Sequence, residues 1–399
     1  MSKMKKMGTV LSLKFGMAIF CAMAAMTTAA FAEDAKPAAP ALSADDLKKA
    51  LGLSIYLQGG YIYNGDAGAI GGEDEQNDLR VFDHKANSFT LDLAQIVFQK
   101  DPALGNVGYK LKLAAGETAK WIHSRGLSGA PLDQPQAGEG TDSFDVTEAY
   151  VSYTAAVGKG LRFDVGKMVT YFGAEVIEAI DNPNYSRSLL FNYAIPFTHT
   201  GLKMSYSFTD ALSASFHIVN GWDNSTDNNK GKCYGASVTY APAEIFSVIV
   251  NGMAGPEQDQ TSAPSGGSVS SNKRELLDVV ATVKPVKPLS IILNTDNGRE
   301  QNVPAGGPAE WKGVAGIVKY DLTGMHSIVA RGEIFNDVDG FRTGTAQRLK
   351  EITLTWEIRL NGGLILRPEY RHDSSDVASF DSGTKNSQNT VALGAMYRW

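Results

Sequence analysis

The feature that most constrains this chain is a strict alternation of apolar and polar residues, repeated in stretches of about ten residues up to the last position. From Glu351 to Leu360, residues Ile352, Leu354, Trp356, Ile358 and Leu360 fall on one side. Glu351, Thr353, Thr355, Glu357 and Arg359 fall on the other. The next stretch repeats the pattern, with Leu364, Leu366 and Tyr370 against Arg367, Glu369 and Arg371, and Leu212, Ala214, Phe216 and Ile218 oppose Ser213, Ser215 and His217. A period of two is the period of a strand, so the fold class is all-β.

The connections alternate as well. Short turns at 100–105, 157–160, 208–210, 241–243, 285–287, 321–324 and 361–363 are interleaved with long polar segments at 64–86, 117–143, 172–196, 223–231, 255–272, 297–309, 336–346 and 373–387. A soluble sandwich has no reason to keep this rhythm, whereas an outer-membrane barrel has short periplasmic turns and long extracellular loops. The expected architecture is an antiparallel up-and-down barrel of about sixteen strands over 51–399, with both termini on the periplasmic side. Gly59-Gly60 interrupts the first stretch and is expected to mark a bend.

The N-terminus supports export. Lys3, Lys5, Lys6 and Lys14, an apolar run near 11–25 and the small-residue site Ala30-Phe31-Ala32 have the order of a cleaved signal peptide, expected over 1–32. Residues 33–50 then form a periplasmic segment with a helical turn near 43–50. Cleavage leaves Cys233 as the one cysteine, so no intramolecular disulfide can form. The chain ends in a strand on which Val391, Leu393, Ala395, Tyr397 and Trp399 share a face, which resembles the terminal signal read by barrel-assembly machinery. Expected partners are therefore that machinery and outer-membrane lipid; a homotrimer is possible, and the sequence leaves the oligomeric state open. The formal net charge of −6 argues against a nucleic-acid partner.

Closing about sixteen strands leaves an aqueous lumen, so passive diffusion of ions and small polar solutes is the expected function. The alternatives are a structural or adhesive barrel with a filled lumen and a membrane-embedded enzyme. Candidate pore-lining residues are Asp164, Lys203, Asp278, Lys319, Arg331, Glu333, Glu357, Arg359, Arg367, Glu369 and Arg371. Their signs are mixed, so no ion preference follows; pairing among Arg331, Glu333, Arg367, Glu369 and Arg371 could equally stiffen the wall. The aromatics Tyr56, Tyr61, Tyr63, Tyr153, Tyr171, Trp356, Tyr397 and Trp399 are expected to form interfacial girdles.

The long connection 172–196 carries Glu175, Glu178, Asp181 and Arg187, an acidic group facing an arginine, and is expected to fold inward as a constriction. The competing reading is a surface loop that caps the rim.

No catalytic, cofactor or metal site is expected. Asp223 to Asn229 has oxygen donors at alternate positions, but Asn228 stands where a calcium loop needs glycine and Tyr234 where it needs glutamate. His84, His123, His199, His217, His326 and His372 show no metal-ligand spacing. Neither a nucleophile elbow nor a phosphate-binding glycine loop occurs.

The segment Gly166-Lys167-Met168-Val169-Thr170-Tyr171-Phe172-Gly173-Ala174-Glu175, followed by Asn182-Pro183-Asn184-Tyr185-Ser186-Arg187-Ser188, Pro196-Phe197-Thr198-His199-Thr200-Gly201 and the Asn220-Gly221-Trp222-Asp223 corner, resembles the porin-2, outer-membrane-protein-L-like family. The resemblance is sharp over 166–223 and loose elsewhere. It implies an outer-membrane barrel of porin function and leaves the solute undefined.

Overall fold

In a computed structural model of the protein the alternating stretches form sixteen strands, each paired with its sequence neighbours. They are β1 (Leu53–Asn64), β2 (Phe89–Lys100), β3 (Val107–Ala115), β4 (Phe144–Ala155), β5 (Leu161–Val169), β6 (Thr198–Ser207), β7 (Leu212–Val219) and β8 (Cys233–Ala243). The second half comprises β9 (Phe246–Pro256), β10 (Lys273–Val286), β11 (Leu289–Glu300), β12 (Ala309–Asp321), β13 (His326–Asp337), β14 (Gln347–Arg359), β15 (Leu364–Ser375) and β16 (Ser387–Arg398). The structure describes residues 43–65, 67, 76–127, 143–258, 272–303 and 306–399. The expected signal peptide 1–32 and residues 33–42 lie outside them. Helix α1 (Ala44–Leu51) precedes β1, and α2 (Glu117–Trp121) lies in the connection after β3.

The sheet closes where β1 pairs antiparallel with β16, from Tyr56 opposite Arg398 to Asn64 opposite Thr390. Closure satisfies the backbone groups of both edge strands, a requirement in hydrocarbon, where no water is available to bond them. No helix among the described residues is long and apolar enough to cross a membrane. The spanning elements are strands.

Side-chain direction follows the alternation. Along β14, Ile352, Leu354 and Trp356 are exposed outward, while Glu351, Thr353, Thr355 and Glu357 are buried inward. On β16, Val391 and Leu393 face out and Thr390 and Ala392 face in. The barrel is thus apolar toward lipid and polar toward its interior, the reverse of a soluble core.

Four expectations shift. The strand β11 runs on through Glu300 because its in-register pairing with β12 continues after the hydropathy alternation has faded, and β8 reaches Ala243 across a register shift against β9 after Tyr240. The Gly59-Gly60 pair does not break β1; the strand is continuous, with a register shift against β2 between Gln58 and Gly59. The side chain of Tyr56 turns inward and is 2 % exposed, so it is no girdle residue. Tyr171 also points inward, its hydroxyl donating to the Gly252 carbonyl at 3.2 Å. Tyr63, Tyr153, Trp356 and Trp399 are exposed.

Candidate functional site: the inserted loop and the charged wall

Residues 170–197, between β5 and β6, contain a 3-10 turn (Ala179–Asp181) and a single π turn (Leu190–Ala194). Most of the segment is buried, and its polar groups bond to inward-facing residues of strands on opposite sides of the barrel. A loop capping the rim could not reach those partners.

Its backbone is held by charges of the wall. Glu369 on β15 accepts the Tyr185 and Ser186 N–H groups at 2.7 and 3.0 Å, and Glu333 on β13 accepts those of Leu189 and Leu190 at 2.6 and 3.1 Å. Arginines bind its carbonyls. Arg331 donates to Ser186 at 2.7 Å, Arg367 to Ala179 and Asn184 at 2.5 and 2.9 Å, and Arg371 to Arg187 at 2.6 Å. Trp311 on β12 donates through Nε1 to the Ala194 carbonyl at 3.0 Å. Irregular backbone is stable at membrane depth only when such partners replace water.

The wall also provides room for the loop side chains. A Cβ on Gly394 would lie 2.3 Å from the Tyr185 ring, and one on Gly60, its direct cross-strand partner, 2.3 Å from the Tyr185 hydroxyl. Tyr185 therefore fills a slot that two bare strand positions create, and its hydroxyl donates to Asp92 on β2 at 2.6 Å. Leu190 sits against Gly313 in the same manner.

The four loop residues expected at a constriction separate. Glu175 accepts from Arg331 at 2.9 Å and from the Ser188 N–H at 2.7 Å. Glu178 accepts from Lys112 on β3 at 2.9 Å and from Gln95 on β2 at 2.8 Å. Burial works to raise the Glu178 carboxyl, but Lys112 outweighs it and holds the group down at about 2. Asp181 is half-exposed and pairs with Arg398. Arg187 does not face these carboxylates: it donates to the loop's own carbonyls at Tyr185 (2.6 Å), Val176 and Ile177, and lies over the Phe82 ring. A guanidinium with five donors can fold a tight loop around itself, and here that use displaces ion pairing.

The eleven wall residues divide in two. Arg331, Glu333, Arg367, Glu369 and Arg371 are engaged by the loop as described, and Asp278 on β10 accepts the Gly173 N–H at 3.2 Å. Nearer the short turns, Glu357 collects Lys319 (2.8 Å), Arg359 (2.9 Å) and Arg367 (2.6 Å). On the other side, Asp164 on β5 binds Arg162 at 2.7 Å and Ser152 at 2.6 Å. Lys203 on β6 lies opposite Asp164 in register, is partly exposed, and makes no ion pair among the described residues. Lys110 and Lys112 both reach Glu148 on β4 at 2.8 Å.

Several partners were missed from sequence: Lys112, Glu148, Glu351, Asp92 and Asp373. Glu351, Lys112 and Asp373 sit on polar faces of their strands, and Asp92 shares one with Thr90 in the alternation from Phe89 to Leu93, so all four were findable. Asp373 accepts from Arg371 at 2.8 Å and Arg80 at 2.6 Å, which draws the connection after β1 into the network. Asp223 accepts the Phe197 and Thr198 N–H groups at 2.9 and 2.8 Å, so it caps the end of the inserted segment. The ring of Tyr171 stacks on His217 at 3.9 Å and lies 5.5 Å from His199.

The described residues contain no group of three or more His, Cys, Asp or Glu arranged to hold a metal. No curated protein matches the chain. Among solved structures, it is similar to an anion-selective porin from Comamonas acidovorans, with TM-score 0.58 and 10 % identity over 87 % of this chain and 98 % of that one. It is also similar to the outer-membrane channel DcaP of Acinetobacter baumannii, with TM-score 0.55 and 13 % identity over 87 % and 96 %. A third likeness is to the trimer form of OmpT, an outer-membrane protein of Vibrio cholerae, with TM-score 0.54 and 12 % identity over 87 % and 98 %. At such identities these likenesses speak for the fold alone. The family model described as beta-barrel porin-2, OmpL-like, matches residues 50–399, and the chain belongs to that family.

Proposed function

We propose that this outer-membrane porin conducts ions and small polar solutes through a passage left between the inserted loop and the β3–β7 wall. The observation that carries this reading is the asymmetry of the interior. Arg331, Arg367 and Arg371 spend their donors on loop carbonyls and wall carboxylates, so a passing solute finds few free groups on the β13–β15 side. On the β3–β7 side, Lys110, Tyr150, Arg162 and Lys203 keep partial exposure, and Lys203, opposite Asp164, makes no ion pair among the described residues. The loop is thus the constriction, and Lys203 stands as the charge that a solute meets.

Three further assignments belong to this reading. The segment 33–50 lies in the periplasm, the terminal strand ending at Trp399 is the signal for barrel assembly, and three copies associate in the lipid bilayer. Catalysis has no place in it. Sedimentation in detergent tests the trimer.

The deciding experiment is single-channel conductance of residues 33–399 in a planar bilayer, with and without residues 175–188. Steady steps that grow on deletion support the constricted porin. A folded barrel that conducts nothing until the loop is removed moves the weight to a structural or adhesive barrel whose loop fills the lumen.

A further inference from the structure

Beneath the root of the inserted loop, Asp278 on β10 and Asp296 on β11 are directly opposed in the antiparallel ladder, and both are buried. Opposed side chains on one face have Cβ atoms about 4.5–5.5 Å apart, which brings two carboxyl groups to one place. The Asp278 carboxylate is supported: it accepts from Asn251 at 2.6 Å, from Asn294 at 2.5 Å and from the Gly173 N–H at 3.2 Å. Asp296 is not. Only 2 % of it is exposed, and among the described residues no group but the Asp278 carboxyl, which lies within bonding reach, can hydrogen-bond to its carboxyl oxygens. Among the described residues no lysine or arginine pairs with either aspartate, and the charges acting on Asp296 are those of Asp278 and Glu333.

A buried carboxylate with no donor beside a second carboxylate is stable only if something positive lies between them. A shared proton would engage one Asp296 oxygen and leave the other bare. A divalent cation engages both. The donors are all oxygen, with neither imidazole nor thiolate among them, which selects a hard ion; calcium accepts carboxylates in mono- or bidentate fashion. We propose that Asp278 and Asp296 bind one calcium-class divalent cation between β10, β11 and the loop root. The site differs from the 223–229 segment considered from sequence, where Asp223 is committed to capping. Because Gly173 donates to Asp278 and Ala174 donates to Asn294 at 3.1 Å, the ion holds in place the residues from which the loop enters the lumen.

The test is calorimetric titration of calcium chloride into the refolded, chelator-stripped chain 33–399, beside the near-isosteric variant Asp296→Asn and the surface control Asp210→Asn. The expected result is one calcium per chain for the unaltered protein and the control, with affinity falling on the order of tenfold or more in Asp296→Asn. Circular dichroism and heat-modifiable migration establish that the variant is folded. The unaltered chain decides the matter without any variant: no calcium uptake, or release of a shared proton without uptake, overturns the proposal. Uptake that Asp296→Asn leaves unchanged overturns it as well. None of these readouts depends on whether the barrel conducts.

Discussion

Arg331 on β13 and Glu175 on the inserted loop form an ion pair at 2.9 Å in which both side chains are withdrawn from solvent. The same guanidinium reaches Glu351 on β14 at 3.0 Å and the Ser186 carbonyl at 2.7 Å. One side chain therefore joins two strands of the wall to both arms of the loop. Removing one partner of a buried pair leaves the other charge uncompensated, at a cost of about 3–5 kcal/mol. Arg331→Ala should lower the thermal unfolding midpoint and produce a noisy, larger conductance. A midpoint equal to the unaltered protein's would show that the loop is held elsewhere.

The Tyr185 slot gives a steric test. A valine at Gly394 would occupy the volume of the Tyr185 ring and expel the loop tip, so Gly394→Val should raise conductance. Adding Tyr185→Ala vacates the slot, and the double variant should recover most of the lost thermal stability. Equal stability of the single and double variants would count against the slot.

Lys203 is the prediction for selectivity. It lies beside Asp164 and makes no ion pair among the described residues, so Lys203→Glu changes the local lumen charge by two units without removing an ion-pair partner described there. The reversal potential under a potassium chloride gradient should move toward cation permeation, while Arg371→Gln, whose donors serve Asp373 and the loop, should move it much less. The reverse ranking would place the passage on the β13–β15 side.

Glu178 sets a pH window. Its carboxyl is held at about 2 against an ordinary value of 4.5, so the folded state favours the charged form. The stability this contributes is full above pH 4.5 and is lost as the pH falls toward 2. Open-channel noise should stay level from neutral pH down to that upper bound and rise below it. In Glu178→Gln the noise should already be raised at neutral pH and depend less on acid.

The sequence by itself determined the wall. A period of two, the short-long rhythm of connections and the outward row Ile352, Leu354 and Trp356 are local properties, and together they specify an even-stranded barrel with a polar interior. Residues 172–196 were also legible as an inward segment by their length and charge. Which groups meet inside was not legible, because Arg331 and Glu175 are 156 positions apart and only ring closure brings them together. The same holds for Gly60 and Gly394: in sequence they read as a weak point in the first strand and an unremarked residue in the last. Pairing of β1 with β16 makes them neighbours and turns two missing side chains into the seat of Tyr185. Strand direction is a property of each segment, whereas the meeting of side chains in the lumen depends on the register around the whole ring, and that was decided only by the tertiary structure.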